Sequence, residues 1–124
     1  MNKQKIKRIE LDVAPRAGIA AEFLSAWHGA AKAVTPATPR ISFESVSQMH
    51  SVITDRRLEL MRAVAQAPGT SIKALAEGLG RDYKNVHGDV TRLLELGLLE
   101  RADDGGLSAP YDEVVIHARI SAAA

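Results

Sequence analysis

The stretch SIKALAEGLGRDYKNVHGDVTRLLELG, residues 71–97, decides the fold. Ser71 stands one residue before an apolar pattern and can accept the free amide protons of a helix's first turn. Ile72, Leu75, Ala76 and Leu79 then recur at helical spacing and point inward. Gly80 supplies the positive φ that ends this short helix. After a tight turn, Asp82 caps a second, longer helix that runs to about Leu96 and stops at Gly97.

Working outward, Asp55 is expected to cap a preceding helix that carries Leu58, Met61, Val64 and Ala65 inward and ends near Pro68-Gly69. On the other side, Leu98–Arg101 reads as a strand, and Asp103-Asp104-Gly105-Gly106 has the chemistry of a hairpin turn. The chain then returns as a strand whose last stretch, Val114, Ile116, Ala118 and Ile120, alternates with Val115, His117 and Arg119. Helix, short helix, glycine turn, longer helix and a two-stranded wing form the order of a winged helix-turn-helix, over residues 54–120.

Residues 1–53 read as an N-terminal extension and 121–124 as a tail. Lys7–Val13 alternates Ile9, Leu11 and Val13 with Arg8, Glu10 and Asp12, a half-buried strand. Ala14-Pro15 ends it. Ile19, Phe23, Trp27, Ala30, Ala31 and Val34 follow as a helical stripe, closed by the two prolines of the loop 35–39. Arg40–Ser45 is a short strand with Ile41 and Phe43 on one side. The fold class is therefore α+β: a winged helix-turn-helix with a strand–helix–strand extension, the latter a candidate dimer or partner-binding element.

The longer helix tests what the fold is for. At about 100° per residue, Val86, Val90, Leu93 and Leu94 occupy one arc and must face the core. The opposite side presents Arg81, Lys84, Gly88, Thr91 and Arg92, flanked by Asn85 and His87, while Tyr83 lies nearer the buried arc and is expected to pack. Cations, an amide, an imidazole and a hydroxyl on one helix are the groups that bind phosphates and base edges in a major groove. Arg81 and Lys84 stand at the helix N-terminus, where helix-turn-helix proteins contact bases. Asn85 suits adenine, and Arg81 or Lys84 suits guanine. Gly88 costs the helix about 1 kcal/mol relative to alanine, so either a groove wall approaches closely there or an exposed glycine is simply tolerated. Lys73 on the short helix and Arg101 in the wing are either phosphate contacts or plain surface residues.

Charge limits this expectation. The 124 residues carry a net charge of +1, with 46% apolar and 25% charged residues, an ordinary globular composition. Through Ile53 there are seven Lys/Arg against four Asp/Glu, and afterwards nine against eleven. The segment expected to meet DNA is slightly acidic, so phosphate attraction must come from a local patch and non-specific affinity should be modest.

Other chemistries find little support. With no cysteine, disulfides and thiolate metal sites are excluded. His28, His50, His87 and His117 form no HxH or HExxH pair, so no metal site is expected. Asp103-Asp104 and Asp112-Glu113 read as solvated acids. Gly78-Leu79-Gly80 lacks the third glycine of a dinucleotide loop and lies between helices. No nucleophile stands with a base, so neither an enzyme nor a cofactor is expected. No apolar run is long enough for a membrane span, and the basic N-terminus is followed by an alternating segment unlike a secretory leader. A cytoplasmic protein is expected. An RNA-binding winged helix is disfavoured by the lack of an aromatic stacking platform.

The stretch ALAEGLGRDYKNVH (Ala74–His87) carries a resemblance, of which GRDYKNVH (Gly80–His87) is the specific part. It is followed by Asp89, Val90 and Leu93, by LGLLE (Leu96–Glu100), and by Pro110-Tyr111-Asp112-Glu113. With Ile41-Ser42-Phe43-Glu44-Ser45, these resemble the small MarR-like DNA-binding proteins of bacteria and archaea, some of which are TumA-type antitoxins. The resemblance implies a winged-helix regulator, often encoded beside a toxin, that binds that toxin and represses its own operon. Members often carry a basic residue where Gly88 stands here, a departure that, on the resemblance, implies the loss of a phosphate contact at this position. Two readings follow: a homodimeric repressor of double-stranded DNA, or a protein-interaction module that neutralises a cognate toxin with DNA binding secondary.

Overall fold

The computed structural model describes residues 6–13, 38–118 and 120. The expected helix over Ile19–Val34 and the tail 121–124 lie outside the described residues. The chain divides into two compact units, one built on Val52–Asp112 and the other on Arg8–Ser51 with Glu113 onward.

The second unit is a three-stranded sheet. β1 (Arg8–Val13) is central, with β2 (Arg40–Phe43) on one side and β5 (Glu113–Ala118) on the other. Both pairings are parallel, with Leu11 opposite Ile41 and Ile116, and Val13 opposite Phe43 and Ala118. Cα partners share a face, so one side of the sheet is apolar and buries Ile9, Leu11 and Phe43. The other side carries Arg8, Glu10, Asp12, Arg40, Glu113 and His117. Arg8 pairs there with Glu113, and Arg40 with Glu10 at 3.0 Å and Asp12 at 3.3 Å. At this exposure such pairs contribute little to stability. A helix that the sequence reading omits, α1 (Val46–Val52), follows β2. Ser45 starts it: its Oγ accepts the Gln48 N–H at 3.0 Å, and the Gln48 side chain accepts the Glu44 N–H at 2.7 Å. A serine followed three residues later by glutamine was the available signal.

The first unit is the winged helix-turn-helix. It contains α2 (Asp55–Gln66), α3 (Ile72–Leu79), α4 (Tyr83–Glu95) and a hairpin of β3 (Glu100–Arg101) with β4 (Leu107–Ser108). Its core is Leu60 and Val64 of α2, Ile72, Leu75 and Ala76 of α3, Val86, Val90 and Leu93 of α4, and Leu98, Leu99 and Leu107 of the wing. Ser71 caps α3 by accepting the Ala74 N–H, Gly80 ends it in the left-handed region (φ 64°), and Asp82 caps α4 through the Asn85 N–H.

Three features differ from the sequence reading. The cap of α2 is Thr54, whose side chain accepts the Arg57 N–H, and Asp55 is the first helical residue. The buried line of α2 is Leu60–Val64, whereas Leu58 and Met61 are half-buried and Ala65 is exposed. Extended one turn back, that line carries Arg57 inward. Last, β5 leaves the wing and pairs with β1. Alternation identifies a strand but not its partner, and Pro110 in the short connection after β4 cannot donate to a continuing wing ladder.

A candidate nucleic-acid interface on the second helix of the motif

Three buried aliphatics, Val86, Val90 and Leu93, fix the rotation of α4. That rotation leaves Lys84, Asn85, His87, Gly88, Thr91 and Arg92 exposed. Thr91 Oγ1 donates to the His87 carbonyl at 2.8 Å, which leaves its oxygen free to accept. Arg92 reaches Glu95 at 3.3 Å, a surface pair one turn along the helix. A Cβ added at Gly88 would meet nothing within 4 Å among the described residues, so none of them explains the glycine.

Tyr83 does not pack inward as expected; it is 52% exposed, and its ring stands 5.9 Å from that of His87 at a tilt of 42°. The reason is its position at the first helical residue, before α4 reaches its neighbours. Lys73 is exposed on α3 and lines a shallow cleft with Gly80 and Tyr83, so it borders the start of α4. Arg101 is exposed on β3, carried separately by the wing.

Arg81 departs most from the expectation of a cation presented to solvent. Its side chain is only 15% exposed, and Nη2 donates to Asp89 Oδ2 at 2.8 Å. Arg57 Nε donates to the other oxygen, Asp89 Oδ1, at 3.0 Å, while Arg57 Nη1 reaches the Val52 carbonyl at 2.7 Å. One carboxylate of α4 thus joins α2 to the turn that precedes α4. Burial alone would raise the Asp89 pKa, but hydrogen bonds from Arg81 and then Arg57, with the attraction of both charges, hold it below the ordinary value. Arg81 Nε and Nη1 are buried without a partner among the described residues, a desolvation cost of about 1–3 kcal/mol per group that the Asp89 pair must offset. Arg57, the second partner of the Asp89 carboxylate, is the residue that sequence reasoning missed, since the two lie 32 positions apart.

This arrangement has a fixed core-facing side, an ion-paired foot and an exposed polar side with two cations, an amide, an imidazole and a hydroxyl. The chain belongs to the HVO_A0114 family, whose model matches residues 52–116. Among solved structures, it is similar to the multiple antibiotic-resistance repressor (MarR) from Listeria monocytogenes 4b F2365, with 18% identity and a TM-score of 0.44. That match covers 73% of this chain and 61% of the listerial one. Comparison with proteins of curated function gives no match. No helix among the described residues is long and apolar enough to cross a membrane.

Proposed function

We propose that this chain is a sequence-specific, double-stranded DNA-binding transcriptional regulator, acting as an autoregulating repressor in the cytoplasm. The observation that carries the reading is the α4 surface: Lys84, Asn85, His87, Thr91 and Arg92 stand exposed around a glycine with open space above it. Lys84 and Asn85 contact base edges, Arg92 and Thr91 contact phosphates or the far end of the site, and Lys73 and Arg101 contact flanking backbone. Arg81 serves from beneath by holding the start of α4. As a homodimer, the protein would set two such helices in successive major grooves, about 34 Å apart. Selection of duplexes from a random library, followed by fluorescence anisotropy on the winners, tests the reading. Recovery of a partly palindromic site is expected; recovery of no preferred sequence would defeat it.

A second reading is that of an antitoxin that binds a cognate toxin, with DNA binding as its regulation. It is supported by the TumA-type resemblance and by the charged sheet face formed by Arg8, Glu10, Asp12, Arg40 and Glu113, outside the winged helix. Co-purification with the product of the adjacent gene tests it, and separate elution of the two proteins would count against it.

A further inference from the structure

Beside α4 lies a cleft of about 480 Å³ that shares Asn85 with the proposed base-reading surface. Its walls include Asp55, Arg56 and Arg57 from the first turn of α2, with Arg81, Asn85 and Asp89 opposite. Three guanidiniums face two carboxylates there. Arg57 and Arg81 share the single carboxylate of Asp89, so that trio retains one positive charge. Arg56 differs from both: it is exposed and has no ion pair among the described residues. The cleft is therefore positive within a segment whose charge balance is otherwise acidic. Asn85 belongs to two surfaces at once, being exposed on the α4 face and lining this cleft.

We infer that Arg56 is a DNA-backbone contact, holding a phosphodiester at the mouth of this cleft while Asn85 marks the boundary between backbone and base contacts. The inference rests on the DNA-binding reading above and extends it to a residue on a different helix. A major groove about 12 Å wide is walled by its two phosphate strands. A duplex that takes Lys84 and Asn85 into the groove must pass one wall beside the element that flanks Asn85, which here is the first turn of α2. Arg57 and Arg81 are less available for that contact, because both side chains are under 20% exposed and each donates to Asp89. A phosphate is the complementary occupant: it is an anion with several acceptor oxygens, and a guanidinium binds it in two-pronged fashion.

The contact carries no sequence information, and this makes it testable apart from base reading. The full-length chain and its Arg56→Ala and Arg56→Lys variants are titrated by anisotropy against a library-selected duplex and an unrelated duplex of equal length, across a potassium chloride series. For Arg56→Ala, the slope of log affinity against log salt should become shallower by about one per bound protomer. Affinity for both duplexes should fall by the same factor, and Arg56→Lys should restore the slope. An unchanged slope, or a loss confined to the selected duplex, would overturn the backbone contact while leaving DNA binding intact. If the unaltered chain binds neither duplex, the DNA-binding reading fails and takes this contact with it.

Discussion

Asp89 is the residue on which the pose of α4 turns, because its two oxygens answer two arginines from different parts of the chain. With all three side chains under 20% exposed, this is closer to a buried network than to a surface pair, and removing one partner strands the others. Asp89→Asn should therefore lower stability at pH 7 by about 1–3 kcal/mol in urea unfolding, as expected for unpaired half-buried charges. The pH dependence has a definite sign. The folded-state pKa is depressed, so the charged form's contribution is complete above the unfolded pKa near 3.9 and is lost as pH falls through the lower folded value. The stability gap between the native chain and Asp89→Asn should stay constant from neutral pH to about 5 and shrink below about 4. Gly88 makes the opposite kind of prediction. Alanine there meets nothing within 4 Å among the described residues and should stabilise α4 by about 1 kcal/mol. If a groove wall approaches this point, the same change weakens duplex binding; unchanged affinity would mean that the glycine is merely tolerated.

At the scale of elements, α3 and α4 are defined by local chemistry. Ser71, Gly80 and Asp82 each act within four residues of their own position. Such signals are legible in a sequence, and so is the Val86–Val90–Leu93 stripe. Gly80→Ala should cost about 1 kcal/mol or more in thermal or urea unfolding, since a Cβ is disfavoured at φ 64°. What was not legible depends on partners far along the chain. Arg57 and Asp89 are 32 residues apart, and nothing local in Arg81 announces that its head turns inward. The cap of α2 fell on Thr54 because Asp55 already lies inside the helix. The burial line of α2 is ambiguous in sequence, because Leu58, Leu60, Met61 and Val64 fit two overlapping arcs. These long-range choices also change the mutational logic. Arg81→Ala confounds folding with recognition, whereas Lys84 and Asn85 are exposed and have no ion-pair partner among the described residues, so their removal isolates recognition.

At the scale of the molecule, the winged-helix segment interrupts in chain order the strands of one sheet: β1 and β2 precede it in sequence and β5 follows it. The strands themselves were readable by alternation, but their parallel register was not, because a parallel pairing needs a crossover and leaves no turn signature. If the protein is a dimer, light scattering at micromolar concentration should give twice the chain mass, and a stable monomer would remove the two-groove arrangement. The central claim is that the exposed side of α4 reads duplex DNA. The most direct measurement is the affinity of a Lys84→Ala/Asn85→Ala double variant for a library-selected duplex, with its thermal midpoint measured in parallel. Loss of about 1–3 kcal/mol of discrimination for each base contact, tenfold or more in dissociation constant, with an unchanged midpoint is the expected result. Native affinity in a folded double variant would contradict it.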